Sequence, residues 1–374
     1  MPDTESSHAW RPLQVVIAGG GTGGHLFPGI ALAGEFCARN PLTRVLFIGA
    51  GRPFEKKTLA RAGYPHRSIT IEGIKGKGLK SGIRALMMIP AALVRSAGIL
   101  TQRSADLVVA VGGYAAGPVA VAAWLKGVPV VLCEQNAVPG ITNRILFPIA
   151  RRIFVSFEET RGKIDPCKKR VTGNPVRSEI LAAAGGQAAR KSTFTVLVVG
   201  GSQGAHAINL AVVAALPLLQ RREKIRMVHQ TGAADRDRVA AAYQVAGVRS
   251  EVNDFFYDMA SRYQQADLVV CRAGATTVAE LTALGKAALL IPYPFAADNH
   301  QEHNARILVD RGAAQMLLER DLSGAALARC LDQLMGAPEQ LAAMADRSKR
   351  LGKPGAARTI VDACYQLVSD RSCT

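Results

Sequence analysis

His25 lies within a glycine-rich segment, directly after five of its glycines, and this combination is the strongest candidate for chemistry in the sequence. The segment AGGGTGGHLFPG covers residues 18–29 and comes directly after an apolar run, 15–17. A strand, a glycine turn and a helix N-terminus form a pocket whose free N–H groups suit anions and polar ligands. A neutral histidine in the first helical turn can accept a proton from a hydroxyl nucleophile. A histidine that only lines the turn explains these residues equally well.

The second half of the chain contains a similar segment, GGSQGAH, at residues 200–206. Ser202 adds a hydroxyl donor for a phosphate oxygen. Further on, Thr277 and Glu280 in CRAGATTVAEL have the spacing of a helix capping box. The same small and hydroxyl residues after a strand also suit a second anion pocket, with Glu280 accepting hydrogen bonds from ribose hydroxyls. Both interpretations stay open at this point.

Several common cofactor and metal sites are disfavoured. Gly19, Gly21 and Gly24 match a dinucleotide fingerprint, but the next strand, 44–49, ends in glycine and alanine where an NAD site needs an acid. The Lys-Ser/Thr pair of a Walker loop is also missing. The Asp-x-Asp pattern at 235–237 lies in an alternating-charge helical segment, which predicts solvated surface. The seven cysteines show no C-x-x-C spacing. We therefore expect neither a metal nor a cofactor.

The two halves of the chain resemble each other. Two pairs of similar segments occur in the same order, namely 15–33 with 196–213 and 105–132 with 266–291. Short Val/Ile/Leu-rich runs alternate with longer helix-compatible segments in both halves, which is typical of parallel strands covered by helices. The sequence therefore predicts an α/β protein with two Rossmann-like domains.

Composition shifts suggest the domain limits. The stretch 174–191 is small and polar, so we expect an N-terminal domain at 11–177 and a C-terminal domain at 178–354. Residues 355–374 begin at the glycine of a Lys-Pro-Gly sequence and are predicted to contain a helix that completes the first domain.

The basic charge is concentrated in the N-terminal half. The chain has a net charge of +17, of which residues 1–177 carry +14, from 24 Lys and Arg against 10 Asp and Glu. This asymmetry indicates an acidic partner, such as nucleic acid, an anionic lipid surface or a phosphorylated substrate. No nucleic-acid recognition motif or aromatic interleaving is present, so nucleic acid is not expected.

The segment 71–98 mixes basic and apolar residues. It predicts either a core helix with a basic edge or a face that rests on anionic lipid. The predicted membrane contacts are Lys75, Lys77, Leu79, Lys80, Ile83 and Arg84. The uncharged stretches 85–94 and 107–125 are too short or too interrupted to span a bilayer. The polar start lacks the features of a signal peptide, so a cytoplasmic location is expected.

Seven sequence words together resemble one family. They are GGTGGH (20–25), GGYAAGP (112–118), EQN (134–136), GNPVR (173–177), GGSQGA (200–205), AGATTVAE (273–280) and DNHQ (298–301). In this order they are similar to the MurG family of peptidoglycan N-acetylglucosaminyltransferases. The resemblance implies a GT-B fold, in which two Rossmann-like domains face each other across a cleft.

The resemblance also implies a reaction and a location. N-acetylglucosamine would pass from UDP-N-acetylglucosamine to the C4 hydroxyl of the muramoyl unit of undecaprenyl-linked lipid I, giving lipid II with inversion. The enzyme would be peripheral on the cytoplasmic face of the bacterial inner membrane, on an anionic phospholipid surface, with cell-wall synthesis proteins as further partners. A 2-epimerase, another glycolipid synthase or a non-catalytic binding protein remain alternatives.

The matching words assign roles to individual residues, with His25 as the favoured general base. Thr22, Gly23 and Gly24 would face the donor sugar, which Asn136 and Gln301 would also contact. The remaining implied contacts are Arg177 and Ser202 to the diphosphate, Phe256 through its backbone to uracil, Glu280 to the ribose, Ala275, Thr276 and Thr277 to the donor, and Gly112, Gly113 and Tyr114 to the acceptor. Cys133 stands where many members have histidine, and we interpret it as packing.

Overall fold

Two parallel sheets form the framework of the protein. The computed structural model describes residues 10–71, 79–185, 193–201 and 204–372. The first sheet has the order β3-β2-β1-β4-β5-β6-β7, and all its paired strands are parallel. Its strands are β1 (Gln14–Gly19), β2 (Arg44–Gly49), β3 (His66–Ser68), β4 (Leu107–Gly112), β5 (Val130–Glu134), β6 (Arg152–Val155) and β7 (Lys169–Val171).

The second sheet repeats this topology with the order β10-β9-β8-β11-β12-β13. Its strands are β8 (Phe194–Val199), β9 (Ile225–Gln230), β10 (Arg249–Asn253), β11 (Leu268–Cys271), β12 (Ala288–Leu290) and β13 (Gln315–Met316). Both sheets therefore have the doubly wound strand order, in which successive strands are added first on one side of the initial strand and then on its other side. The predicted pair of Rossmann-like α/β domains is confirmed.

Helices connect the strands and cover both faces of each sheet. They are α1 (Gly23–Arg39), α2 (Pro53–Arg61), α3 (Leu79–Gln102), α4 (Ala116–Leu125), α5 (Ile141–Leu146), α6 (Ser178–Ala182), α7 (His206–Ala215), α8 (Arg236–Ala246), α9 (Met259–Gln265), α10 (Ala275–Leu284), α11 (His300–Val309), α12 (Gly324–Gly336), α13 (Pro338–Leu351) and α14 (Ala356–Ser372).

The central strands are apolar because both of their faces are buried. In β1, Val15 and Ile17 belong to the core under one helical layer, whereas Val16 and Ala18 belong to the core under the other. Alternate side chains of a strand point to opposite faces, so a continuous apolar run is needed where helices cover both. This is why the strands with continuous runs were the ones that the sequence predicted.

The last helix, α14, packs against the first sheet's helical layer. Its buried residues, including Ile360 and Cys364, share a core with Leu13 and Phe36. The ring of Tyr365 lies 4.7 Å from that of Trp10. The chain thus returns, after the second sheet, to the core that it started.

Candidate functional site

The carboxyl ends of the two sheets face each other across a cleft. The N-termini of α1 and α10 meet at its centre, where Thr276 Oγ1 donates a hydrogen bond to the carbonyl oxygen of Gly24 at 3.0 Å. Ligands of doubly wound sheets bind at this edge, beside the strand where the order reverses. The cleft is therefore the candidate site.

His25 is the third residue of α1, as predicted, and it is half-buried in the cleft. Its Nδ1 lies 3.2 Å from Oε1 of Gln135. The Gln135 amide nitrogen donates to the carbonyl oxygens of Val111 (3.0 Å) and Cys133 (3.2 Å), so Oε1 must accept from His25. The proton of a neutral His25 therefore sits on Nδ1, which leaves Nε2 as the basic nitrogen.

The surroundings of His25 favour the neutral imidazole. Burial lowers the pKa of His25 below the ordinary 6.5, and the charge of His300 acts in the same direction. The hydrogen bonds to Gln135 and to the Val111 carbonyl oppose this shift without cancelling it. At neutral pH the side chain is consequently unprotonated, which is the form that a general base requires.

Gly112 and Gly113, where β4 ends, make room for the glycine loop that precedes His25. A Cβ atom on Gly112 would lie 2.8 Å from Cε1 and Nδ1 of His25, and one on Gly113 would lie 2.9 Å from the carbonyl oxygen of Gly20. Both glycines have positive φ, +96° and +85°. Two of the three residues predicted to contact the acceptor thus have a packing role, Gly112 beside His25 and Gly113 beside Gly20. The third, Tyr114, is 38% exposed.

Glu134 holds the loop that carries Asn136. Its carboxylate accepts from the backbone N–H groups of Asn136 (2.9 Å) and Gly140 (3.2 Å) and from the Asn143 amide (2.8 Å). Burial raises the pKa of Glu134, although these hydrogen bonds oppose the shift. Because β5 ends at Glu134, Cys133 lies within the strand and is buried, which raises the pKa of its thiol to about 12. A packing role fits this position.

Asn304 links the two sides of the cleft. It accepts from the backbone N–H of Ala137 at 3.0 Å and donates to Oδ1 of Asn136 and to the carbonyl oxygen of Ala273, both at 3.2 Å. Its side chain is fully buried. The predicted sugar contact Asn136 is therefore oriented from the opposite half of the molecule.

The remaining predicted residues of the first loop border the cleft. Thr22 is the exposed N-cap residue of α1, and its side chain makes no capping hydrogen bond. A Cβ atom on Gly23 would lie 2.9 Å from the Phe27 ring. Gly24 is exposed and opposite Thr276.

The glycine loop of the second half connects to the segment that carries Phe256. Ser202, the predicted phosphate donor, lies outside the described residues. Gln230 donates to the carbonyl oxygen of Gly201 and accepts from the Phe256 N–H, each at 2.9 Å. Of the Phe256 backbone groups predicted to face uracil, the N–H is thus already bonded.

The start of α10 corrects one sequence interpretation. The N-cap residue is Gly274, so Thr277 and Glu280 lie too far into the helix to form a capping box. The helix begins three residues earlier than that motif requires, with Ala275 and Thr276 in its first turn. The predicted donor residues Ala275, Thr276 and Thr277 therefore lie at a helix N-terminus, where N–H groups and the helix dipole favour a negative charge.

Glu280 and Arg177 form a buried ion pair. Arg177 Nη2 lies 3.3 Å from Glu280 Oε1, and the hydroxyl of Tyr263 donates to Oε2 at 2.9 Å. Burial raises the pKa of Glu280, while the charge of Arg177 opposes the shift. The guanidinium also covers the Phe27 ring at 4.2 Å and bonds Glu179 at 3.0 Å. The structure thus brings together two residues whose predicted ligands, diphosphate and ribose, are adjacent parts of one nucleotide.

Gln301 lies in the first turn of α11, opposite the Asn136 loop. Its Oε1 accepts from the backbone N–H of Tyr293 at 3.0 Å. This hydrogen bond directs the carbonyl end of the amide toward the protein. Within the described ranges, no hydrogen bond is formed by the amide nitrogen of Gln301.

The Asp-x-Asp segment is solvated surface at Arg236 and Asp237, as the charge pattern predicted, but not at Asp235. Asp235 is buried and accepts from the Asn209 amide at 2.7 Å and from His206 at 2.9 Å. Burial alone would raise the pKa of Asp235, but these hydrogen bonds lower it. Asp237 is exposed as expected. In the described part of the chain, no group of three His, Cys, Asp or Glu side chains is placed to hold a metal ion.

The predicted membrane segment is only partly described. Lys75 and Lys77 lie outside the described residues, and α3 begins at Leu79. The side chains of Leu79, Lys80, Ile83 and Arg84 are likewise outside the described part. Among the residues that were described, no helix has the length and hydropathy to cross a membrane.

Sequence reasoning missed Gln135, Asn304 and Gln230. Each is a side-chain amide that links two loops far apart in the chain, such as His25 and Gln135 with a separation of 110 residues. Gln135 is the middle residue of the EQN motif at 134–136, and this motif is the local sequence signal that could have indicated its role.

Comparison with known proteins agrees with this geometry. The model of the glycosyltransferase family 28 N-terminal domain matches residues 15–155, and that of the C-terminal domain matches 195–360. Together with the two facing Rossmann-like domains, these matches define a glycosyltransferase of the GT-B fold.

Individual relatives are more specific. The chain is 46% identical to a UDP-N-acetylglucosamine--N-acetylmuramyl-(pentapeptide) pyrophosphoryl-undecaprenol N-acetylglucosamine transferase of Anaeromyxobacter dehalogenans, covering 96% of this chain and 94% of the relative. It is also 46% identical to the Myxococcus xanthus protein of the same name, covering 95% and 93%. The crystal structure of Acinetobacter baumannii MurG is similar with a TM-score of 0.76 and 32% identity, covering 94% and 99%. The chain belongs to the MurG family of N-acetylglucosamine transferases.

A more distant likeness shows the fold alone. The UDP-GlcNAc 2-epimerase of Neisseria meningitidis has a TM-score of 0.68 at 14% identity, covering 95% of this chain and all of that one (100%).

Proposed function

We propose that this chain transfers N-acetylglucosamine from UDP-N-acetylglucosamine to the muramoyl C4 hydroxyl of lipid I, giving lipid II with inversion. The observation that carries the chemical part is the His25–Gln135 pair, which leaves a neutral imidazole nitrogen at the cleft between two glycine loops. The names of the relatives supply the substrates. The domain division at 177/178, with residues 355–374 completing the first domain, is part of the same proposal.

The proposed step is a single displacement. His25 Nε2 accepts the proton of the attacking C4 hydroxyl as its oxygen bonds to the anomeric carbon, and the bond from that carbon to the diphosphate oxygen breaks. The Gln135 hydrogen bond keeps the second imidazole nitrogen protonated throughout. Attack on the face opposite the leaving group inverts the anomeric configuration.

The leaving diphosphate carries negative charge that the protein must stabilise. The N-terminus of α10, with Ala275, Thr276 and Thr277, supplies backbone N–H groups, and Thr277 adds a hydroxyl. The hydroxyl of Thr276 donates to the carbonyl oxygen of Gly24 and so fixes this helix against the first glycine loop. Arg177 is held beside it by Glu280. In this proposal Glu280 binds the ribose hydroxyls with its remaining lone pairs, and Ser202 adds a hydroxyl to the diphosphate.

Sugar recognition is proposed for Asn136 and Gln301. They lie on opposite sides of the cleft, and Asn304 bonds the first of them from the second half. Closed contact between the halves also excludes water, which is the competing acceptor of the glycosyl group.

Lipid I is a membrane lipid, so we propose that the enzyme docks peripherally on anionic phospholipid at the cytoplasmic face of the inner membrane. The net charge of +14 in residues 1–177 supports this, because each basic residue near such a surface contributes about 1 kcal/mol. Charge reversal at Lys75, Lys77 and Lys80 should weaken liposome binding, and unchanged binding would contradict this face.

The deciding experiment is transfer of labelled N-acetylglucosamine to a lipid I analogue by the wild type and by His25→Ala. We expect product from the wild type and a kcat lower by orders of magnitude in the variant. Equal activity of both would keep the reaction but move the base elsewhere. No product from a folded wild type that still binds UDP would overturn the proposed reaction.

A further inference from the structure

The loop between β10 and α9, residues 254–258, contacts both halves of the molecule. Phe256 is buried in the core of the second sheet. Its neighbours point the other way: Phe255 is half-buried and Tyr257 is 51% exposed. The alternation places one aromatic side chain inside the second half and two outside it.

The two outward rings meet helix α2 of the first half. The Phe255 ring lies edge to face with Phe54 at 6.5 Å between centroids. The Arg61 guanidinium lies 3.9 Å from the centre of the Tyr257 ring, and the Lys57 ammonium lies 5.8 Å from it. A cation within about 6 Å of a ring centroid is attracted by the negative face of the ring.

The spacing on α2 explains how one helix makes all these contacts. Phe54, Lys57 and Arg61 are three and four residues apart, so they share one helical face. Among the described residues, neither Lys57 nor Arg61 has a carboxylate partner that would compete for its charge. The Tyr257 ring is the group that each cation meets.

We infer that Tyr257, Arg61 and Lys57 form an inter-domain latch that holds the donor side of the cleft closed. This inference rests on the proposed function, because the latch matters only if residues 254–258 carry the donor nucleotide. The same loop positions the Phe256 backbone and is bonded through Gln230 to the glycine loop at 200–204. Opening the latch would therefore change the distance between the proposed nucleotide contact, the Phe256 backbone, and His25 in the first half.

The latch residues are positioning residues, since they act through the loop and not on the reacting atoms. If only a fraction of the enzyme is closed, the apparent affinity for a ligand that needs both halves falls in proportion to that fraction. An exposed cation–π contact corresponds to roughly a two- to fivefold change in an equilibrium. We expect losses of this size in kcat/KM for UDP-N-acetylglucosamine.

The test is a double-mutant cycle with Tyr257→Ala and Arg61→Ala, with Tyr257→Phe as the conservative variant. Each alanine variant should lower kcat/KM for the donor by roughly two- to fivefold. The double variant should be no worse than Tyr257→Ala alone, because loss of the ring already removes the contact with Arg61. Tyr257→Phe keeps the ring and should retain wild-type values. Arg358→Ala removes an exposed arginine of α14 and serves as the matched control.

Two results would overturn the latch: additive losses in the double variant, or losses no larger than that of Arg358→Ala. Melting temperatures of all variants establish that each is folded. Calorimetric UDP binding and small-angle scattering with and without UDP give a second readout, in which the alanine variants should compact less. A wild type without transferase activity would count against the proposed function, whereas an active wild type with unaffected latch variants counts against the latch alone.

Discussion

Gly112→Ala tests whether His25 must stand where the structure places it. The new methyl group would lie 2.8 Å from two imidazole atoms, whereas ordinary contacts are 3.4–4 Å, so the ring must retreat by at least about 0.6 Å. A misplacement near 1 Å in a catalytic group can cost about 10²-fold in rate, and we expect kcat to fall roughly 10- to 100-fold. The φ of +96° adds strain of about 1–3 kcal/mol to the folded state.

The assay is transfer of labelled sugar to a lipid I analogue, with kcat and both KM values measured beside the melting temperature. Gly98→Ala is the matched control, because that glycine lies in α3 with open space around it and should leave kcat unchanged. Gly113→Ala clashes with a backbone oxygen instead of His25 and reports general damage to the loops. A folded Gly112→Ala enzyme with kcat within about threefold of wild type would refute the assigned position of His25.

Three other predictions use separate parts of the molecule. The acid limb of kcat/KM should have its midpoint below pH 6.5, and Gln135→Leu should move it lower still, because the lost hydrogen bond raised the pKa of His25; a limb at or above 6.5 would contradict the assignment. Glu280→Gln should weaken UDP binding about tenfold or more in calorimetry, whereas Glu179→Gln, at the exposed end of the same arginine, should have little effect. Burial lowers the pKa of His229 to about 3, so as the pH falls the unfolded chain binds this proton before the folded chain does. The free energy of unfolding should therefore decrease as the pH drops from about 6.5 toward 3. In denaturant melts, His229→Gln should show a smaller dependence of this free energy on pH.

The parts of the fold that local sequence determines were predictable. Continuous apolar runs such as 107–112 are recognisable because both faces of the strand are buried. The strands β3 and β13 have only three and two residues and contain one apolar side chain between them, Met316. They are formed by pairing with a neighbour, so no periodicity could indicate them.

The residues of the candidate site also fall into two groups, those indicated by local sequence and those brought together only by the fold. The glycine loops and His25 were found because a strand, a turn and a helix N-terminus are adjacent in sequence. Asn304 contacts Asn136 and Ala137 across more than 160 residues of chain, and only the folded structure shows this. Asp235 was misread because its burial depends on His206 and Asn209, which belong to a different helix.

The return of α14 to the first core has a consequence for the order of folding during synthesis. Ile360, Cys364 and Tyr365 fill a core that also contains Leu13 and Phe36. The ribosome makes these residues only after it has made the whole second sheet. The second half can therefore complete its core while the first still has an open apolar face, and chains released early would expose that face to aggregation.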